Sequence, residues 1–185
     1  MIEINGSAQR TFSFPAPRPL AYQYYSDFHR IVPFLPHISL IDQYAPHQFR
    51  LRYQATELGV YHVNIVADVQ TVLDSTGHAL SVTTLAGRQP IADRVSLTGA
   101  TTQGYYTSHS LFTDRDGATV VDYQLQLRAT FPTPNGLQLV PGSLLNQLAA
   151  GITRSRIQEI LDAFITQSIA AFPRWRAQQE NGFGL

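Results

Sequence analysis

The 185-residue chain carries 13 basic side chains, all of them Arg, against nine Asp and four Glu, so its formal charge is zero with six His neutral. Cys and Lys are both absent, which excludes a disulfide framework, a thiolate nucleophile, Cys-ligated metal, a Walker phosphate loop and a Schiff base. Charged residues make up only 14% of the chain with no basic excess, so nucleic acid is not an expected partner.

One domain spanning 1–185 is expected at this length. Its first elements are short. Ala8 to Phe14 alternates as a strand with Phe12 and Phe14 on one face, and Pro15-Ala16-Pro17-Arg18-Pro19 ends it. Pro19 suits the first turn of a helix and predicts one through Tyr25. Ser26 and Asp27 can cap a second, from Phe28 to Val32, which Pro33 and Pro36 are expected to stop.

From His37 the pattern turns to strands. Phe49, Leu51 and Tyr53 alternate with Arg50, Arg52 and Gln54, and Tyr61, Val63, Ile65, Ala67 and Val69 alternate with His62, Asn64, Val66 and Asp68. Leu80 and Val82 mark another strand. The stretch from Gly87 to Gly99 reads as a long loop or a short extra strand. Thr101 to Thr113 is strand-like, but its Thr, Tyr and Ser content leaves the buried face undecided. Asp114-Arg115-Asp116-Gly117 signals a tight hairpin. Val121, Tyr123, Leu125, Leu127, Ala129 and Phe131 then face in, opposite Asp122, Gln124, Gln126 and Arg128. Pro132-Thr133-Pro134-Asn135-Gly136 closes the sheet region.

The last third changes period. After Pro141-Gly142-Ser143, a helix is predicted from Leu144 to Phe172, ended by Pro173, with Arg174 and Arg176 near its negative end. Leu145, Leu148, Ile152, Ile160, Phe164 and Ile169 form its apolar stripe, widened by Ala149, Ile157 and Leu161. A curved antiparallel meander of about six strands presents one concave apolar face, and only this helix is available to cover it. The expected fold class is therefore α+β, a helix-grip, with a curved sheet wrapped around a long C-terminal helix and two short helices after the first strand.

Phe14-Pro15-Ala16 before Tyr22-Tyr25, Ser26-Asp27 and Leu35-Pro36, in this order of elements, resembles the START-like (SRPBCC) superfamily. That group includes lipid-transfer domains, the birch-pollen-allergen family, polyketide cyclases and coenzyme-Q-binding proteins. Thr119-Val120-Val121-Asp122-Tyr123-Gln124-Leu125, Leu139-Val140-Pro141 and Phe172-Pro173-Arg174-Trp175 look like an uncharacterised START-like family of cyanobacteria and plastids. The resemblance implies a fold and a photosynthetic host, with pigments, quinones and lipids as candidate ligands. It carries over no catalytic residues.

The six His are scattered, with no His-x-x-x-His pair, so no metal site is expected. No Gly-x-Ser-x-Gly elbow is present, and neighbours in Ser108-His109-Ser110 point to opposite faces of a strand. No catalytic residue is assigned and no cofactor is expected. The residues expected to line a cavity between sheet and helix are Tyr53, Tyr61, Ile65, Tyr106, His109, Tyr123 and Leu125 from the strands, and Leu148 and Ile152 from the helix. Each buried Tyr hydroxyl needs a partner; a neighbouring backbone group or Arg and the polar end of a ligand both satisfy that need.

Tyr22, Tyr24, Tyr25, Phe28 and Phe34 are expected near the cavity mouth, as packing rather than a lid. Arg154 and Arg156 are expected on the polar face of the helix, with a carboxylate or anionic head group at the pocket rim as the alternative for one of them. Trp175 is expected to pin the C-terminus to the body. These features favour a non-enzymatic binder of a lipophilic small molecule. A cyclase or hydratase using the same cavity, with His109 or a buried Asp as its acid or base, and an assembly protein with a filled core are the alternatives. Met1 to Gly6 has neither a basic nor an apolar leader region, and no apolar run approaches a membrane span. A cytoplasmic protein with at most transient membrane contact is the expectation.

Overall fold

The computed structural model describes residues 1–57, 61–88, 91–133 and 140–182. β1 spans Ile2–Phe14, longer than predicted, with its even-numbered residues turned inward. The strand reads through Gly6 because α3 crosses there. A Cβ on Gly6 would lie 2.3 Å from Ile157 Cδ1 and 2.8 Å from Thr153 Cγ2, so only a bare Cα allows this approach. Gly6→Val is expected to lower stability by about 2 kcal/mol through overpacking, whereas Ser7→Val, on the exposed outer face, stays near neutral in the same urea titration.

α1 spans Arg18–Ser26 and α2 spans Phe28–Ile31, where the Asp27 carboxylate accepts the Arg30 backbone N–H at 3.2 Å. Pro33 does not stop the chain at once. It sits in a single 3-10 turn, Val32–Phe34, whose first positions make no demand on the missing N–H.

The remaining strands are β2 (Ile38–Ala45), β3 (Gln48–Glu57), β4 (Tyr61–Leu73), β5 (Ala79–Thr84), β6 (Arg94–Val95), β7 (Gly99–Arg115) and β8 (Ala118–Phe131). The sheet order is β1-β8-β7-β5-β4-β3-β2, with β6 added to β7. Residues 89 and 90 of the 87–99 stretch lie outside the described residues, and the described remainder contains the two-residue strand β6. β7 is long enough that β5 pairs only its second half, and its start runs parallel to β4, Gly99–Gln103 beside His62–Val66. Asp116 and Gly117 both have positive φ, the two-residue turn that matches strand twist in the β7–β8 hairpin. Of the closing segment, Pro134 to Gly136 lies outside the described residues.

The undecided face of β7 is settled by packing. Ala100, Thr102, Ser110 and Phe112 are buried while Tyr105, His109 and Leu111 are exposed. On β4 the outward residues Val66 and Asp68 are also buried. Arg50 and Tyr44 bond the Asp68 carboxylate there, and Arg88, from the chain after β5, stacks on the Tyr44 ring.

α3 runs from Gly142 to Gly182, with Pro173 inside it. Pro173 therefore does not end the helix, contrary to the sequence expectation. The single backbone hydrogen bond lost at proline is outweighed by burial of Phe172 and Trp175 on either side of it. Arg174 is exposed on the continuing helix, and Arg176 pairs with Glu180 one turn on.

The two halves of α3 pack differently. The C-terminal half closes an aromatic core with Phe14, Tyr24, Tyr25 and Phe112. Ring centroids of Phe14 and Phe172 are 4.7 Å apart, and those of Tyr24 and Trp175 are 5.1 Å apart. Trp175 does pin this end, with the Arg30 guanidinium 5.0 Å from its ring. Tyr24 and Tyr25 hydroxyls both reach Ser168 at 2.9 Å, one on its carbonyl and one on its Oγ. The aromatic residues of α1 are packing, at the sheet end away from the cavity described next.

Candidate functional site

The N-terminal half of α3 leaves space beneath it. At this end the roof residues of α3 are aliphatic, Leu145, Leu148, Ala149 and Ile152, where the other end of the helix carries Phe164, Phe172 and Trp175. The result is a cavity of about 120 Å³. Ile4, Leu127 and Phe131 form one wall, Tyr53, Tyr61 and Ile65 another, and Leu145, Leu148 and Ile152 of α3 the roof. Leu148 is 45% exposed, so the roof edge opens to the surface.

Polar groups enter this lining at few points. The Tyr61 hydroxyl is buried and has no hydrogen-bond partner among the described residues. Burial pushes its pKa above the ordinary tyrosine value. On β3, Tyr53 donates to Glu57 Oε1 at 3.2 Å; burial, then the Glu57 charge, pushes the Tyr53 phenol upward. Arg156 binds Glu57 through Nε at 2.9 Å and Nη2 at 3.3 Å, and binds Glu159 through Nη1 at 2.6 Å. These hydrogen bonds to Glu57 and Glu159 hold the guanidinium firmly protonated. His37 reaches the other oxygen of Glu159 at 3.1 Å. Arg156 is thus the helix arginine that meets a carboxylate at the rim, while Arg154 is exposed.

Five of the nine expected lining residues meet in the cavity: Tyr53, Tyr61, Ile65, Leu148 and Ile152. The others do not. Tyr106 and Tyr123 bond each other, oxygen to oxygen at 2.8 Å, deeper between sheet and helix. Leu125 packs there with Ile157 and Leu161. His109 is a correction: it stands exposed on the outer face, where its Nδ1 meets Ser81 Oγ at 2.9 Å, because the inward register of β7 falls on even numbers. Glu57, Phe131 and Leu145 are lining residues that no candidate list included. Inward alternation signals Phe131 and the helical stripe signals Leu145, but the Glu57–Arg156 pair joins residues 99 apart and left no local sign.

Among the described residues no group of three or more His, Asp or Glu side chains is placed to hold a metal ion. No described helix is long and apolar enough to cross a membrane.

Solved structures share this architecture. The Zhui aromatase/cyclase of Streptomyces sp. R1128 superposes with a TM-score of 0.56, over 92% of this chain and 94% of that one, at 13% identity. The fold is a helix-grip. A protein of Thermus thermophilus matches this helix-grip with a TM-score of 0.54 at 16% identity, over 90% of this chain and 99% of that one. The di-domain ARO/CYC StfQ of the steffimycin biosynthetic pathway matches at 0.53 and 14% identity, with 95% of this chain covering 52% of that one. At these identities the likeness is one of fold. No protein-family model matches the helix-grip chain, and no curated protein matches it by sequence. The narrower likeness to the cyanobacterial and plastid family therefore rests on the quoted residues alone.

Proposed function

We propose that this chain is a START-like helix-grip protein that binds a lipophilic small molecule under α3 without transforming it. The observation that carries this reading is a carbon-walled cavity with an open edge, lined in part by Tyr61, whose buried hydroxyl has no partner among the described residues. At about 120 Å³ the space is smaller than a pocket for a drug-sized ligand, which runs to roughly 300–1,000 Å³. It is close to the ~150 Å³ apolar cavity that accepts benzene. A single ring or a short branched segment fills it, and the rest of a larger ligand leaves past Leu148. A host lipid, pigment or quinone presents such a segment.

A cyclase or hydratase reading draws on Tyr53, Glu57 and Arg156 at the cavity wall, and on the aromatase/cyclase names of two structural neighbours. Binding is the better supported. Glu57 and Arg156 are engaged with each other, the wall tyrosines are harder to ionise than usual, and His109 stands outside.

Native mass spectrometry after incubation with a lipid and pigment extract tests the proposal. Wild type is expected to retain a small-molecule mass. Ala149→Phe, which fills the roof side of the cavity, is expected to retain less than about a tenth of it with an unchanged far-UV spectrum. No retained mass in wild type, or equal retention by the variant, overturns the reading.

A further inference from the structure

The polar end of the cavity has a charge preference of its own. All three nitrogens of the Arg156 guanidinium are taken by carboxylates, two by Glu57 and one by Glu159. Two carboxylates thus face one guanidinium, and His37 leans on the outer one. Whatever the protonation of His37, the net charge of this cluster is zero or negative. The Glu57 side chain is only 13% exposed. A ligand carboxylate seeking Arg156 would have to displace Glu57 and leave it unpaired beside a second anion in an apolar space, which is strongly unfavourable. The Tyr61 hydroxyl, in contrast, is buried without a partner among the described residues and has a proton to donate.

We infer that the cavity selects an uncharged ligand bearing a hydrogen-bond acceptor such as a carbonyl oxygen, with Tyr61 as its donor and the Glu57–Arg156–Glu159 cluster rejecting carboxylates. This rests on the binding reading above. It separates a neutral ketone, quinone or ester from a free fatty or aromatic acid.

Three single-ring probes test it: toluene, acetophenone and benzoate, titrated at neutral pH and followed by ligand-detected saturation transfer. Acetophenone is expected to bind about fivefold tighter than toluene, and benzoate about tenfold or more weaker than toluene. Tyr61→Phe erases the advantage of acetophenone and leaves toluene unchanged. Glu57→Gln, which frees part of Arg156, strengthens benzoate about tenfold. Toluene binding with benzoate equal or tighter overturns the inference and spares the cavity. So does a Tyr61→Phe variant that keeps the ketone preference. If none of the three binds, the binding reading itself fails, and this inference with it.

Discussion

Phe14→Ala is expected to cost about 4 kcal/mol of unfolding free energy in a urea titration. Phe14 is fully buried and sits where β1, α1 and α3 meet. Its ring stacks on Tyr24 at 5.5 Å, meets Tyr25 edge-on at 5.0 Å, and touches Phe172 of α3 at 4.7 Å. Truncation removes the transfer energy of a ring and leaves a hole between these elements that the two tyrosines cannot fill without leaving a hydrogen bond. Tyr24 and Tyr25 are both held by Ser168, so their rings are not free to slide in. A loss below about 1 kcal/mol would mean that this aromatic core is not the anchor of the helix. Because the cavity lies at the other end of the sheet, toluene affinity measured in native conditions should stay within about twofold of wild type.

Asp68→Ala is expected to cost about 3 kcal/mol, because it leaves a partly buried guanidinium without its partner. Arg50 clamps the Asp68 carboxylate through Nε at 2.7 Å and Nη2 at 2.8 Å, and the Tyr44 hydroxyl adds a third bond at 3.0 Å. The Asp68 side chain is 1% exposed and that of Arg50 is 25% exposed. Arg88 lies 3.9 Å over the Tyr44 ring and closes the cluster.

Burial alone would raise the pKa of Asp68, but the bonds from Arg50 and Tyr44 outweigh it and hold the group below its ordinary value. The folded pKa is thus lower than that of the unfolded chain. The stabilisation is fully present above the unfolded value of about 3.9 and disappears as pH falls through the folded value. Urea midpoints measured at descending pH should show the acid limb of wild type falling more steeply than that of Asp68→Ala. Parallel limbs would show that Asp68 carries no such contribution. Asp68→Asn keeps the shape and one acceptor oxygen without the charge, and turns an NH2 donor toward the second Arg50 N–H, so its stability at neutral pH should fall between the two.

These two sites show which parts of the molecule are written locally in the sequence. Phe14 is legible, since alternation with Phe12 and the proline run that follows place it at the inner end of a strand beside the aromatic helix. Strands β3, β4 and β8 are legible for the same reason, because a period of two in strongly apolar residues leaves one choice of inner face. β7 is not, since Thr, Tyr and Gly sit on both of its faces and only the neighbours decide. Asp68 reads as an outward residue, because the Arg50, Tyr44 and Arg88 side chains that enclose it come from three other segments of the chain. Pro173 reads as a stop because helix rules are local, while the pull of Phe172 and Trp175 is tertiary. In the cavity, the aliphatic walls and Tyr53 and Tyr61 follow from periodicity. Its charged end does not, because Glu57 and Arg156 come from a strand and a helix far apart in the chain. The buried pair Tyr106–Tyr123 satisfies itself, which alternation alone had no means to reveal.

The unbroken passage of α3 through Pro173 makes it a rod of about 60 Å at 1.5 Å per residue. It is clamped at one end like a cantilever. Buried residues recur at Ile157, Ile160, Leu161, Phe164, Ser168, Phe172 and Trp175, whereas Leu145 and Thr153 are the buried side chains of the stretch before them. Backbone amide exchange should therefore be slowest between Ile157 and Trp175 and faster toward both ends, Gly142 to Gly151 included. The free end is the part that roofs the cavity. Under the binding proposal, substitutions that tune guest residence and those that set melting temperature are expected to fall on separate stretches of one helix.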